Sequence, residues 1–302
     1  MIITPFANSD KVTKGVFSFL IRNNLEWRIC MEKELKEQIS SADLCIIGIG
    51  SEWNWVKSGM KNDPRYNELL EYCKIEGNHS ILPIVEYEYA YYNSNKKIEE
   101  AYTGLRKLIG DKKYFIISDL FLQDAPRYGF DAEKCVNPCG NYLYLQTAFS
   151  DDEIYNVKDV PEFMDRVDSI HKIITELDGH IGEDSSFSSV FFNGKQLYLN
   201  QKRQEYSKIK YNETVYKARW DEYMKYLTGT LNRNLLILEL GVGLEYPTVV
   251  RWPFEKVTFI NKKAHLVRVH EKLYHHTPEI EDKTDSIQMN SVDYILQESK
   301  GL

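Results

Sequence analysis

Two glycine turns carry the residues with the clearest chemical potential in this chain, Gly48-Ile49-Gly50-Ser51 and Gly241-Val242-Gly243. Each ends an apolar run, within Ala42–Ser51 and at Leu235–Leu240, of the kind a strand buried on both faces requires. Where side chains are missing, the main chain can approach a ligand closely. A strand feeding such a turn and then a helix points N–H groups at a phosphate. The first turn lacks the third glycine of the full dinucleotide fingerprint, so a buried strand ending in a tight turn is an equal alternative. After the second turn come Pro247, Val249-Val250 and an apolar stretch, Val257–Ile260, ending on Asn261. Strand, glycine turn, short crossover, second strand and terminal Asn is the layout of a nucleotide site. Glu52 works against it, because it would set a negative charge near a pyrophosphate.

The other reactive residue types are scattered. The five cysteines are Cys30, Cys45, Cys73, Cys135 and Cys139, and none forms a C-x-x-C pair. An odd number of cysteines in a chain of 302 residues reads as reduced thiols. Cys135 and Cys139 have no histidine nearby, so they do not make a tetrahedral zinc site. His171 falls on a helix and His275-His276 in a polar loop, and all three read as surface residues. The net charge of -7, without a long basic block, argues against nucleic acid as the main partner. No apolar run is long enough to span a bilayer. The N-terminus lacks a basic segment followed by an apolar one, so a cytoplasmic protein is expected.

The elements that must position the turns alternate between strand and helix. Glu32–Ser40 is helix-prone and leads into the first strand; Tyr66–Cys73 suits a helix. Lys96–Leu108 has a one-sided apolar stripe and stops at Gly110, and Tyr114–Ile117 reads as the next buried strand. Such alternation predicts an α/β fold with a parallel sheet. Leu120–Gln146 has poor periodicity and reads as loop and short helix. Phe163, Val167, Ile170, Ile174 and Leu177 mark an amphipathic helix with Asp159 as its cap. Gly182–Ser189 is a Ser-rich linker, and Phe191–Gln201 reads as a hairpin around Asn193-Gly194. Glu213–Leu227 is a Tyr- and Trp-rich helix, Ala264–Val269 a strand, and a terminal helix starts at Ser291. Residues 1–31 form an arm, helix-prone around Val12–Ile21, with no assigned role.

In this order the segments resemble a sirtuin, the Sir2-like NAD-dependent protein deacylase family, and within it the bacterial branch encoded beside macrodomains. Ala42–Ser51 is similar to the family's first strand and glycine turn. Tyr114–Gln146 is similar to its catalytic stretch, with Tyr-Gly-Phe-Asp at 128–131 and Cys-Gly-Asn-Tyr at 139–142. Leu235–Asn261 is similar to its second glycine turn and to the Ile-Asn pair that meets the adenosine ribose. The resemblance implies a Rossmann-like parallel sheet over 32–146 and 203–302, with a small inserted domain over 147–202. It implies NAD or an ADP-ribose-containing ligand at Gly48, Gly50, Ser51, Gly241, Val242, Gly243 and Asn261.

The family's chemistry uses a T-x-N-x-D segment and a His-Gly. By the family's spacing Ser118, Leu120 and Leu122 stand at the first segment, and Cys139-Gly140 at the second. Leucine offers ribose no hydrogen bond, and an ordinary thiol is a poor base at neutral pH. A one-residue slip would bring Asp119 to the Asn position. The family's zinc cysteines should fall near residues 147–193, where this chain has none. A small domain without zinc, and without any metal site, is therefore expected. The resulting expectation is a divergent Sir2-like protein that binds NAD or a related nucleotide, with deacylase activity weak, altered or absent. Two alternatives stay open. One is an NAD glycohydrolase or ADP-ribosyl or acyl transferase using Cys139 or Asp119; the other is a non-catalytic module that docks a protein, with Trp53 or Trp55 filling the cleft.

Overall fold

The computed structural model describes residues 34–149, 153–182, 187, 189–203, 206 and 209–302. The N-terminal arm with Cys30, and much of the Ser-rich linker, lie outside the described residues.

The first half runs α1 (Leu35–Ser41), β1 (Leu44–Ile49), α2 (Trp55–Asn62), α3 (Asn67–Lys74), α4 (Leu82–Tyr92), α5 (Lys96–Ile109), β2 (Lys113–Ser118) and β3 (Cys135–Val136). Helix α5 shows why these elements form where they do. The Asn95 side chain caps its first turn by accepting from Ile98 N at 3.2 Å, and Gly110 ends it at φ +53°. Between them Ile98, Ala101, Tyr102, Leu105 and Leu108 are buried along one face.

The insertion contains β4 (Gly140–Gln146), β5 (Ile154–Asn156), α6 (Pro161–Glu176), β6 (Val190–Phe192) and β7 (Lys195–Gln201). Its strands form an antiparallel sheet in the order β5-β4-β7-β6. The hairpin turn is at Asn193-Gly194, both with positive φ, as the sequence predicts. Helix α6 packs its buried Phe163, Val167, Ile170 and Ile174 into the same core as Ile84 and Val85 of α4. It starts at Pro161 without a side-chain cap, because Asp159 belongs to a preceding 3-10 turn. The antiparallel sheet begins at Gly140, ahead of the expected boundary at 147.

The last part is α7 (Thr214–Thr228), β8 (Leu235–Leu240), α8 (Arg251–Ile260), β9 (Ala264–Val269), β10 (Thr284–Ile287) and α9 (Ser291–Glu298). With β1–β3 these strands form one sheet in the order β10-β9-β8-β1-β2-β3, and every pairing in it is parallel. Ile47 and Ile49 with Leu238 and Leu240 enter one core layer; Leu44 and Ile46 with Leu235 and Ile237 enter the other. Burial on both faces explains why these runs are apolar without alternation. Helices α5 and α9 cover the first face, and α7 and α8 the second. The protein is thus α/β, with a doubly wound parallel sheet and a separate small antiparallel sheet. Among the described residues no helix is long and apolar enough to cross a membrane.

The stretch Val257–Ile260 is not a strand. It is the last turn of α8, whose buried Arg251, Phe254 and Thr258 recur at helical steps. A parallel partner for β8 needs the chain carried back to the sheet's amino edge, and α8 does this. The second strand of the nucleotide layout is β9.

The two glycine turns rest on each other. A Cβ on Gly50 would lie 2.4 Å from Val242 Cα and 2.8 Å from Gly241 O, both main-chain atoms that cannot swing aside. Replacing Gly50 by Ala should cost about 3 kcal/mol of stability through overpacking. Gly194→Ala has only its left-handed φ to strain and open space around it, so it should cost about 1 kcal/mol. Urea unfolding of the two variants side by side measures the difference.

Candidate functional site

Strand order places a crevice between β1 and β8. In the sheet β2 and β3 lie on one side of β1, and β8, β9 and β10 on the other. The connections leaving the carboxyl ends of β1 and β8 therefore run apart. Ligands of open α/β sheets bind outside the strands' carboxyl ends at such a point. Gly50 N donates to Leu240 O at 3.0 Å, and Ser51 Oγ and Glu52 N both donate to Gly241 O at 3.2 Å. Gly241 holds φ +65°, and Gly48 leaves room for Val250, just before α8, and for Phe254 within it, so both glycines have packing reasons to be there. Gly243 faces Ser51 Oγ, and Val242 is buried beneath Gly50.

Beside these turns lies a cavity of about 190 Å³. The start of α2 contributes Asn54, Lys57 and Ser58, next to Ser51 of the first turn. Asp119, Leu120 and Phe121 follow β2, and Gly243, Glu245 and Tyr246 follow β8. Asn54 caps α2 by accepting from Lys57 N at 3.2 Å, so the helix's positive end faces this region. Lys57 Nζ lies 3.6 Å from Glu245 Oε2 across the rim, a half-exposed pair that water screens well.

Asp119 is the chemically unusual group. Its carboxyl pKa is pushed up to about 7, first by burial and then by the charges of Glu245 and Glu239, with Lys57 opposing. The loop after Asp119 is fixed by Ser118 Oγ, which accepts from Leu120 N, and by Asn137 Nδ2, which donates to Leu120 O and Leu122 O. Leu120 and Leu122 are themselves buried.

Cys139 is fully buried and does not line the cavity. Burial, then the charge of Asp119, pushes its thiol far above the ordinary range, which leaves it without thiolate at neutral pH. The neighbouring Gly140 has φ +110°, and a Cβ there would meet Asn200 O at 2.2 Å. The glycine of this Cys-Gly pair is therefore a steric requirement of β4.

Asn261 needs correction as a ribose contact. It follows α8 at the amino edge of the sheet, where Leu235 N donates to Lys263 O, opposite the crevice. Its Nδ2 donates to Thr230 O at 2.9 Å and its Oδ1 accepts from Lys263 N at 3.0 Å, so its amide is spent on loop closure. The residue that follows the carboxyl end of β9 is His270. Its Nδ1 accepts from Lys272 N and Leu273 N, and burial lowers its pKa, so the ring is neutral. Its 3.1 Å approach to Glu52 Oε1 is accordingly not a charged pair.

Trp53 and Trp55 do not fill the cavity. Trp53 Nε1 donates to Ser291 Oγ and Trp55 Nε1 to Asp124 Oδ2, both within the core. No pattern in the sequence marks Glu245 and Tyr246 as part of a site. Asn54, Lys57 and Ser58 do carry a signal, since they recur at i, i+3 and i+4 directly after the first turn. His171 pairs with Glu88 Oε1 at 2.7 Å and stacks on Tyr92, away from the crevice. Among the described residues no three or more His, Cys, Asp or Glu side chains are arranged to hold a metal ion.

Solved structures similar to this chain are Sir2 proteins. One, Sir2Tm bound to a propionylated peptide, is 15% identical over 86% of this chain and 94% of its own, with a TM-score of 0.48. A mutant Sir2 homologue in complex with ADP-ribose is 11% identical over 89% and 96%, with a TM-score of 0.49. A Sir2 complex with a peptide and NAD+ is 14% identical over 88% and 95%, with a TM-score of 0.45. No family model and no curated protein matches the chain.

The raised pKa of Asp119 makes stability depend on pH with a definite sign. The folded state favours the protonated carboxyl, so this contribution is complete below the ordinary value of 3.8 and is lost as pH rises through about 7. Asp119→Asn, neutral at every pH, should gain stability relative to the unsubstituted protein between pH 4 and 8. Urea unfolding across that range checks it, and a constant difference would contradict the assignment.

Proposed function

We infer that the crevice between β1 and β8 binds a nucleotide of the NAD or ADP-ribose class, and that the chain lacks the ordinary groups for deacylation. The observation that carries this is the reversal of strand order at β1 and β8, with a cavity and the N-terminus of α2 at that point. The resemblance of Ala42–Ser51 and Leu235–Gly243 to the sirtuin glycine turns supports it. By the spacing of the sirtuin resemblance, Leu120, Leu122 and the buried neutral Cys139 fall at the positions of its Asn, Asp and base, which supports the absence of deacylation. An acylated protein as second partner rests on the resemblance to sirtuins, with no residue of this cavity assigned to it.

Asp119 favours a second reading, cleavage of the N-glycosidic bond of NAD. A carboxyl near neutrality in a cavity can take a proton from an attacking water or acceptor hydroxyl. The oxygen bonds to the ribose carbon, the bond to nicotinamide breaks with its electrons leaving on the ring, and Asp119 carries the proton away.

Titration calorimetry with NAD and with ADP-ribose tests the binding, and silence at millimolar ligand with both would end it. Should nicotinamide be released, the rate should rise with pH through about 7 as Asp119 ionises. Asp119→Asn should then lower the rate by roughly 100-fold or more. Cys139→Ala should leave it within about twofold. Full activity in Asp119→Asn would remove the second reading and leave the binding intact.

A further inference from the structure

The β9 side of the crevice is occupied by the protein's own carboxyl group. Glu52 Oε1 accepts from Glu271 N at 2.8 Å, and Glu52 Oε2 accepts from Ser291 N at 2.7 Å. Glu271 lies just past the carboxyl end of β9, and Ser291 opens α9. Both N–H groups therefore face the edge of the sheet where a ligand of this topology lies. The Glu52 side chain runs across the second glycine turn, 2.6 Å from where a Cβ on Gly241 would stand, and is only 9% exposed. It is also held from behind, since Glu52 N donates to Gly241 O. A phosphate arriving here would have to break two charge-assisted hydrogen bonds and would then meet a like charge.

The Asp119 side of the crevice differs. Its cavity is open, its wall carries Lys57, and its volume of about 190 Å³ suits one nucleoside-sized fragment. That is well below the roughly 300–1,000 Å³ of sites for larger ligands.

We propose that Glu52 is a specificity-determining residue. It closes the β9 half of the crevice to the adenosine diphosphate part of a dinucleotide, so the ligand is a single nucleotide unit seated beside Asp119. This rests on the nucleotide binding inferred above. Two outcomes follow that binding alone does not demand. The adenosine half of NAD adds nothing to affinity, and removing the Glu52 carboxyl restores its contribution.

Calorimetry with nicotinamide mononucleotide, NAD and ADP-ribose tests this on the full chain and on Glu52→Ala. The unsubstituted protein should bind the mononucleotide and NAD within about threefold of each other, and ADP-ribose more weakly. Glu52→Ala should bind NAD and ADP-ribose at least tenfold tighter, with the mononucleotide unchanged. Glu52→Gln keeps the size and removes the charge, and is judged by the same criteria where thermal unfolding shows the Ala variant misfolded. Should neither variant fold, the comparison of NAD with the mononucleotide on the unsubstituted protein decides alone. NAD bound tenfold tighter than the mononucleotide by that protein, or no gain in a folded Glu52 variant, overturns the proposal and leaves nucleotide binding standing. Silence of all three ligands overturns nucleotide binding and this proposal together.

Discussion

The contact of the Gly50 main chain on Val242 sets the geometry of everything around it. With no Cβ at Gly50, the turn after β1 lies directly on the turn after β8, and Gly50 N–H reaches Leu240 O. That contact fixes where the chain leaves β1, hence where α2 begins and which way Ser51 and Glu52 point. Ser51 turns toward the cavity, and Glu52 turns across Gly241 toward β9 and α9. The same contact changes what the glycines signify. Each has a steric reason to be a glycine without any ligand, so the functional inference rests on the cavity, the strand order and Asp119.

Below the crevice, charge is buried deliberately and paired. Glu239 of β8 and Arg268 of β9 are fully buried, with Arg268 Nη2 donating to Glu239 Oε2 at 2.8 Å. Arg268 Nε lies 2.7 Å from the other oxygen without being aimed at it. Arg251 and Arg268 also donate to the main chain at His275, and Arg251 to Leu273, which straps the loop after β9 to the sheet. Such a cluster adds little net stability but tolerates few other arrangements. The Glu239 carboxylate of this cluster also contributes to the raised pKa of Asp119.

Much of the framework was legible because its periodicity is strong. Leu235–Leu240 and Ala264–Val269 are strands at the expected bounds, and α5, α6, α7 and the hairpin fall within a few residues of expectation. The failures have physical causes. Thr258, Phe259 and Ile260 have the composition of a strand, but the need to return to the sheet's amino edge makes them helical. Helix α4 buries Ile84, Val85, Glu86, Tyr87 and Glu88 in succession, so no single apolar stripe marks it. Strand β4 begins with a glycine at φ +110° and shifts register against β7, which hides its alternation. At the site, the glycine turns and Asp119 could be named from sequence. The opposed pair of Lys57 and Glu245 could not, because the two come together only when β1 and β8 are neighbours.

The insertion is joined to the larger sheet by buried side chains, and that joint reaches the cavity. Glu86 of α4 pairs with Arg203, just past β7, and also accepts from Tyr142 Oη of β4. Glu88, one turn-half further along α4, accepts from Tyr66 Oη and meets His171 of α6. These carboxyls are almost wholly buried, so each needs its partners in place, and α4 is thereby keyed to both β4 and α6. Arg203 in turn lies over the ring of Phe121 at 4.4 Å, and Phe121 lines the cavity beside Asp119. A shift of the insertion would move Arg203, and with it the aromatic wall. The small antiparallel sheet therefore shapes the cavity through a buried ion pair, which links packing of the insertion to the environment that raises the pKa of Asp119.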